Sequence, residues 1–179
     1  MSKKMFTILM TAVVCCLAAA TAIAQAKFTE FPIAAGKDST FSVGAVWGGT
    51  SGTGIVAIIG DTLSQYNITA QMVSPPNNLI GNRISIGRSG TFPGPVVKFD
   101  GTNYLMGWIE NNGDINGQFI SPAGTLTYFT IGTNASIERP GNGNLCFGDT
   151  TYLAVFVKTD TCLYGQLVSK SGNLIGGQI

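Results

Sequence analysis

The feature that most constrains this chain is an internal repeat of about 48 residues. Residues 96–126 read VVKFDGTNYLMGWIENNGDINGQFISPAGTL, and residues 144–174 read NLCFGDTTYLAVFVKTDTCLYGQLVSKSGNL. Identical or aromatic residues recur 48 positions apart without a gap, as in Phe99 and Phe147, Tyr104 and Tyr152, Leu105 and Leu153, Trp108 and Phe156, Gly117-Gln118 and Gly165-Gln166, Ser121 and Ser169, Gly124 and Gly172, Leu126 and Leu174. Such a period predicts one supersecondary unit used several times.

A more diverged copy precedes these two. Residues 70–75 (AQMVSP) align with 117–122 (GQFISP), and residues 55–59 take the place of 104–108. The front of this copy has a longer glycine-rich turn, up to Gly54. We therefore predict three units, at about 45–92, 93–140 and 141–179.

Each unit has the pattern of four strands joined by tight turns. In the middle copy the predicted strands are 96–99, 104–109, 115–121 and 129–131. The segments between them are Asp-Gly-Thr-Asn, Asn-Asn-Gly-Asp and Pro-Ala-Gly, and Gly and Asn supply the positive φ angles of hairpin turns. No segment after Ala26 has helical periodicity, so the sequence predicts an all-β protein of four-stranded antiparallel meanders.

The second strands indicate how these sheets pack. Residues 104–109 and 152–157 are apolar on both faces, so each sheet needs cover on both sides. Stacking the sheets as β-propeller blades provides it, in a partial ring or in a ring completed by another copy of the chain. A β-trefoil, which also has three four-stranded units, is the alternative, although its usual Gln-x-Trp signature is missing.

The two ends of the repeat region suggest how a ring closes. The third unit reaches Ile179 where its fourth strand would only begin, while Phe31-Pro-Ile33, within 28–36, has the form of a fourth strand without a unit before it. We expect this segment to pair with the last sheet and cover its edge.

Residues 1–26 have the pattern of a cleavable bacterial secretory signal. Lys3 and Lys4 precede an apolar run that ends in small residues, and cleavage after Ala26 would leave Lys27 first. Cleavage after Ala24 and a permanent membrane helix over 5–24 are the alternatives. The signal predicts a protein that is secreted, periplasmic or on the bacterial cell surface, without stable membrane insertion once it is cleaved.

Charge and composition exclude several functions. Removal of residues 1–26 takes away Lys3 and Lys4, which leaves eight Lys and Arg against nine Asp and Glu, and this balance predicts no binding of nucleic acid. The sequence has no histidine, which excludes Ser-His-Asp and Cys-His catalysis and imidazole ligation of a metal. We expect no cofactor and no metal.

Acidic residues lie in the predicted turns. Glu110 and Asp114 flank a hairpin turn, and a pair of carboxylates could cleave a glycosidic bond, although acidic residues are also common in turns. Asp100, Asp149 and Asp160 also lie in turns, and an oxygen-rich loop can bind calcium. Calcium sites usually contain several carboxylates, however, and each of these turns has only one. For all five we favour a structural role in the turn.

Two further groups of residues recur in the units. Gln71, Gln118 and Gln166 lie on the third strands, where we expect each to bond to the backbone of a neighbouring sheet and not to a ligand. The aromatic residues could stack on sugars, but their positions predict a core role: Trp47, Tyr104, Trp108, Tyr152 and Phe156.

Cys146 and Cys162 follow the signal and could form a disulfide outside the cytoplasm. The predicted strands place a third strand between them, which argues against a bridge.

The run Val97-x-Phe-Asp-Gly-Thr-Asn-Tyr-Leu-x-x-Trp108, followed by Gly117-Gln-x-Ile-Ser-Pro-x-Gly124, resembles a repeat of secreted bacterial proteins with the appearance of β-propellers. The resemblance extends over 46–179 and implies a blade architecture, but no common reaction. Such proteins usually have more than three copies.

From the sequence we expect an exported, non-enzymatic binding or interaction module whose partner is a glycan or a protein. Another expectation is a truncated or structural fragment of a longer secreted propeller, and a third is a carboxylate-dependent enzyme acting on glycans. Two copies could also assemble into one ring.

Overall fold

A computed structural model describes residue 33 and residues 39–49, 52–62, 65–76, 78–89, 94–136 and 143–179. The predicted signal 1–26, with its cleavage point between Ala26 and Lys27, lies outside the described residues. So does the predicted closing strand 28–36, of which only Ile33 is described, in a bend. No described residue belongs to a helix long and apolar enough to cross a membrane.

The described residues form twelve β-strands in three antiparallel sheets. The first sheet contains β1 (Ser39–Trp47), β2 (Gly54–Thr62), β3 (Gln65–Ser74) and β4 (Asn78–Ser89). The second contains β5 (Val96–Phe99), β6 (Tyr104–Ile109), β7 (Ile115–Ile120) and β8 (Leu126–Gly132). The third contains β9 (Gly143–Gly148), β10 (Thr151–Val157), β11 (Leu163–Ser169) and β12 (Leu174–Ile175). The expectation that the fourth strand of this unit only begins at Ile179 is therefore wrong, because the short β12 already pairs with β11.

Neighbouring strands in each sheet follow one another along the chain, so each sheet is a meander. This confirms the predicted fold class of three four-stranded meander units. Among the described strands, none pairs with a strand of another sheet; an isolated bridge joins Ala135 to Lys158. The pairing therefore differs from that of a β-trefoil, in which strands of all units share one barrel.

The repeated sequence produces a repeated turn between the third and fourth strands. Ser121 Oγ accepts a hydrogen bond from Thr125 N, and Ser169 Oγ accepts one from Asn173 N, both at 3.0 Å. Gly124 and Gly172 have φ angles of 85° and 86°, a left-handed conformation that favours glycine. The Ser-x-x-Gly pattern is thus the sequence signature of this turn.

Two apolar clusters join the three sheets face to face. One contains residues of the first and second sheets, such as Ile55, Met72 and Tyr104. The other contains residues of the second and third sheets, such as Leu105 and Tyr152. Because the second sheet lies between the other two, β6 and β7 are buried at every residue.

The third sheet is covered on one face only. Along β10 buried residues alternate with half-buried ones, because only the face with Tyr152, Ala154 and Phe156 packs against the second sheet. The expectation that every sheet is covered on both sides is therefore fulfilled by the second sheet and not by the third. In the first sheet, Gly54 to Ile58 are all buried.

The alignment of the first unit needs a shift of one residue. Val56 pairs with Gln71 in the first sheet, as Met106 pairs with Gln118 in the second. Gly54, and not Ile55, is thus the equivalent of Tyr104. A one-residue shift exchanges the two faces of a strand, so Ile55 points toward the second sheet, while Tyr104 points back toward the first.

Candidate binding site

The two carboxylates of the enzymatic hypothesis lie at the turn between β6 and β7. Glu110 N donates to Asp114 O at 2.9 Å, which closes the hairpin. Asp114 Oδ2 accepts a hydrogen bond from Asn112 Nδ2 at 2.7 Å, and Asp114 N donates to Asn112 Oδ1 at 3.0 Å. The hydrogen bonds of Asp114 are thus made within the turn, as the structural role predicts.

Two of the calcium candidates are exposed turn residues. Asp149 follows β9 with a φ of 44°. Asp160 Oδ1 accepts from Cys162 N at 3.0 Å, and Asp160 Oδ2 accepts from the Tyr164 hydroxyl at 2.7 Å. The bond from Tyr164 is the main cause that lowers the pKa of Asp160, and the same bond raises the pKa of Tyr164. Within the described part of the chain, no three Cys, Asp or Glu side chains group together as metal ligands would.

Asp100, the third candidate, is buried between the second and third sheets. Its Oδ1 accepts hydrogen bonds from Thr102 N at 2.8 Å and Asn103 N at 2.7 Å, as in an Asx turn. Tyr152 of the third sheet lies close to Asp100. The pKa of its phenol is raised far above the ordinary value, mainly by burial and then by the negative charge of Asp100. A hydrogen-bond interaction with the Asp100 carboxylate also contributes to this raised pKa, although neither Asp100 Oδ2 nor the Tyr152 hydroxyl makes a well-formed hydrogen bond.

The preceding sheet boundary has an equivalent contact in which the tyrosine is paired. The Tyr104 hydroxyl lies 2.9 Å from Thr53 O and 3.0 Å from Thr53 Oγ1, in the β1–β2 turn. At both boundaries, therefore, the tyrosine that begins or nearly begins the second strand reaches back to the first turn of the preceding sheet.

Four of the five aromatic residues lie in the core, as predicted. Tyr104, Tyr152, Phe156 and Trp108 are all at most 3% exposed. The prediction is wrong for Trp47, which is 49% exposed. Trp47 ends β1 opposite Gly54, and its ring lies over that glycine.

The repeated glutamines do not behave alike. Gln71 Nε2 donates to Met72 O at 3.1 Å and to Ile80 O at 3.0 Å, and Gln166 Nε2 donates to Leu167 O at 3.0 Å and to Ile175 O at 3.3 Å. The expected backbone bonds are therefore present, but they go to the glutamine's own strand and to the fourth strand of the same sheet, not to a neighbouring sheet. Gln118 differs, because its buried Oε1 has no partner.

Gln118 belongs to a polar and aromatic group on the face of the second sheet that is turned toward the first. We call this group the Trp108 cluster; its members are Trp108, Asn116, Gln118, Tyr128 and Thr130. Strand pairing places them side by side, because Asn116 pairs with Trp108 and Thr130, and Gln118 pairs with Tyr128. The rings of Trp108 and Tyr128 are 6.0 Å apart and inclined at 50°.

The buried atoms of the Trp108 cluster are incompletely hydrogen-bonded. Asn116 Oδ1 accepts a bond from Thr130 Oγ1 at 3.3 Å, but Asn116 Nδ2, Trp108 Nε1 and Gln118 Oε1 have no partner. Trp108, Asn116 and Gln118 are each at most 6% exposed. Buried polar atoms are normally paired, so two donors and one acceptor without partners on one face call for an explanation.

The Trp108 cluster opens to solvent at the fourth strand. Tyr128 is 56% exposed and Thr130 is exposed as well. On the other side lies β4 of the first sheet, where Gly87 lies against the indole; a β-carbon there would be 3.3 Å from Trp108 Cζ2 and 3.8 Å from Nε1. The absence of a side chain at Gly87 therefore lets β4 lie close against the indole.

An opening lies between the second and third sheets. It encloses about 400 Å³, including adjoining open space, and its walls are mostly apolar. Val96, Gly107, Ile131, Leu145 and Phe156 are among the residues that line it. These walls offer few directional contacts, so a ligand here would be held by its apolar surface alone.

Cys146 and Cys162 lie on either side of β10, as predicted. Cys146 is in β9, opposite Leu153, and Cys162 immediately precedes β11, which starts opposite Val157 at the other end of β10. Both thiols are free and exposed.

The sequence analysis missed the Trp108 cluster as a group. Asn116 was not singled out, although it alternates with Gln118 in a strand that is otherwise apolar or glycine, and both therefore lie on one face. The third unit has Phe156 and Tyr164 in the places of Trp108 and Asn116, and this difference between the copies was the available signal.

Comparison with known proteins identifies no relative: no protein-family model matches the sequence, and no curated protein or solved structure is significantly similar to it.

Proposed function

We propose that this chain is an exported, non-enzymatic binding module whose three sheets are blades of a β-propeller. The repeated stacking supports the blade architecture. The face of the second sheet with Leu105 packs on the third sheet, the face of the first sheet with Ile55 packs on the second, and these two residues are equivalent in register. Successive sheets are thus related head to tail, as blades are.

The observation that carries the binding function is the Trp108 cluster. In the third sheet, the equivalent glutamine bonds to backbone carbonyls, and its neighbours are Phe156 and Tyr164. In the second sheet, three buried polar atoms have no partner and lie beside an exposed tyrosine. Leaving such atoms unpaired costs about 1–3 kcal/mol each, a cost that a ligand bonded to them would remove.

The test is binding by the chain as exported from a bacterial host. We expect it to bind ligands on an array of glycans or in extracts of bacterial surface material, and to release them chemically unchanged. Asn116→Leu removes an unpaired donor and should weaken binding at least fivefold, whereas Asn112→Ala, in the exposed β6–β7 turn, should not. No binding to any of these materials, or equal binding by Asn116→Leu, would contradict the proposal.

The same material tests the enzymatic alternative. Glu110→Gln and Asp114→Asn remove the two turn carboxylates, and a binding module should retain its ligand affinity in both variants. Cleaved glycan that appears with the wild type and disappears with these variants would favour the enzyme.

A second candidate function is assembly through the outer face of the third sheet. The centre of this face is apolar, and Asn144, Thr151 and Ser169 lie at its margins. Its apolar residues are Cys146, Leu153, Val155, Val157, Leu163, Leu167 and Ile175. Leu153, Val157 and Leu167 are the equivalents of Leu105, Ile109 and Phe119, the residues with which the second sheet packs on the third. We propose that a second copy of the chain covers this face and continues the stack.

A further inference from the structure

We propose that a second copy of the chain covers the third sheet with its own third sheet, so that the two sheets pack back to back about a two-fold axis. This inference rests on the assembly proposed above and adds which surface of the second copy takes part. It predicts a closed dimer, because both copies use the same face and neither has it left for a third copy.

The outer face of the third sheet has the residues with which a sheet of this chain packs on its neighbour. Leu105 and Ile109 of the second sheet are at most 6% exposed, and they belong to the cluster shared with the third sheet. Their equivalents Leu153 and Val157 are half-buried, and Leu163, which pairs with Val157, is 69% exposed. Another β-sheet is therefore the kind of partner that fits this face.

The face can pair with itself because it carries no charge. A two-fold contact brings the same residues of two copies together, so a charged group near its centre would meet its own like charge. The residues of the apolar centre and of the polar margins are all uncharged. The two lysines of this unit lie elsewhere: Lys170 Nζ donates to Asp100 O of the second sheet, and Lys158 Nζ lies over the Tyr164 ring.

The first sheet does not offer an open apolar face to a second copy. Ile55 and Ala57 face the second sheet, so Val56 and Ile58, which alternate with them along β2, face away from it. Both are nevertheless buried within the single chain, Val56 at 8% and Ile58 at 4% exposure. A head-to-tail contact, as in a ring of two copies, would need this face. The exposed face of the third sheet therefore favours the contact of two like sheets.

The size of the face predicts a reversible dimer. Seven residues form β10, and at about 3.3 Å per residue and about 4.8 Å per strand the four-stranded face measures about 23 by about 19 Å. Two copies together then cover about 900 Å² in projection, near the lower limit of about 1,200 Å² of accessible surface for stable interfaces. We therefore expect association at micromolar concentration and dissociation on dilution.

Single cysteines distinguish the two arrangements. In the exported chain, Cys146 and Cys162 are replaced by serine, and Val155→Cys then places one thiol near the centre of the face. A bismaleimide, which joins two thiols through thioether bonds, should link this variant to itself. Thr102→Cys, at an exposed turn of the second sheet, is the matched control. We expect Val155→Cys to give about tenfold more covalent dimer than the control, because the interface holds its two thiols at a high effective concentration.

Head-to-tail assembly would give a different product. Ala45→Cys places the thiol on the outer face of the first sheet, since Ala45 is exposed and pairs with Val56. Covalent dimer that forms only when Ala45→Cys and Val155→Cys are mixed would overturn the back-to-back contact and leave assembly through the third sheet intact. Circular dichroism checks that each variant keeps the β-sheet spectrum. Leu153→Cys, on the same face of β10, takes the place of Val155→Cys if that variant does not fold.

Sedimentation separates a failure of this inference from a failure of the assembly itself. The wild type should form a dimer and no larger species. A wild type that keeps the mass of one chain at every concentration would overturn both the assembly and the back-to-back contact. A dimer from which neither Val155→Cys nor Leu153→Cys gives more covalent product than Thr102→Cys would overturn the back-to-back contact alone.

Discussion

At the scale of single residues, buried polar atoms set this chain apart from a plain stack of apolar sheets. Among the described residues, five buried side-chain atoms make no well-formed hydrogen bond, one each on Asp100, Trp108, Asn116, Gln118 and Tyr152. Three belong to the Trp108 cluster, and two lie where the third sheet meets the first turn of the second. A turn residue such as Asp100 is normally solvated. Here Asp100 is buried, and its backbone oxygen accepts a hydrogen bond from Lys170 Nζ at 2.9 Å.

The raised pKa of Tyr152 predicts a loss of stability in alkali. An unfolded tyrosine ionises near pH 10, whereas in the folded chain burial, and then the Asp100 carboxylate, hold the phenol protonated to higher pH. Below pH 10 the phenol is protonated in both the folded and the unfolded state, so the free energy of unfolding keeps its full value. Above pH 10 the unfolded state loses this proton while the folded state keeps it, and the free energy of unfolding falls by up to about 1.4 kcal/mol per pH unit. Urea unfolding between pH 8 and 11 measures this slope.

The free energy of unfolding of Tyr152→Phe should fall less steeply above pH 10 than that of the wild type, because the variant lacks this phenol. At pH 7 the free energy of unfolding of the variant should be within about 1 kcal/mol of that of the wild type, since the hydroxyl makes no well-formed hydrogen bond with Asp100. Equal slopes for the two proteins would show that Tyr152 is not held protonated.

At the scale of strands, the sequence predicted the second unit closely. The predicted strands 96–99 and 104–109 coincide with β5 and β6, because turn residues mark their ends. The first unit was misaligned by one residue, since its β2 is apolar throughout and shows no alternation that would fix which residues face the second sheet. The lack of a hydrogen-bond partner for Gln118 Oε1 was not predictable, because it depends on which strand lies opposite and on how closely the sheets approach.

The close approach of β1 to the start of the second sheet predicts that Gly44 cannot be replaced by a larger residue without loss of stability. β1 lies against the start of the second sheet at Gly44, where a β-carbon would be 2.6 Å from Pro95 O. Gly44→Ala must push the backbones apart and should destabilise the chain by about 1–3 kcal/mol. Chemical unfolding monitored by circular dichroism measures the change.

Gly148→Ala is the matched control for this prediction. Gly148 ends β9, and a β-carbon there would meet no atom within 4 Å. Its free energy of unfolding should stay within about 0.5 kcal/mol of the wild type. If Gly44→Ala is equally harmless, the first and second sheets do not approach as described.

At the scale of the whole molecule, the three sheets form a stack with unequal ends. The second sheet is covered on both sides, whereas the third exposes an apolar face on which Leu163 is 69% and Ile175 39% exposed. Beside it, β12 has only two residues, although Ile179 exchanges two 2.9 Å backbone hydrogen bonds with Gly165 and so extends the edge. An apolar face next to a short edge strand is typical of a surface that another chain covers.

Assembly through this face predicts a discrete dimer. Sedimentation of the exported chain at micromolar concentration should give twice the mass of one chain, because burial of the apolar face of the third sheet favours association. Val155→Lys places a charge at the centre of this face and should give the mass of a single chain with an unchanged circular dichroism spectrum. Thr102→Lys adds the same charge at an exposed turn and should remain dimeric. A wild type that sediments as a single chain would leave the third sheet without this partner, and a dimeric Val155→Lys variant would place the interface elsewhere.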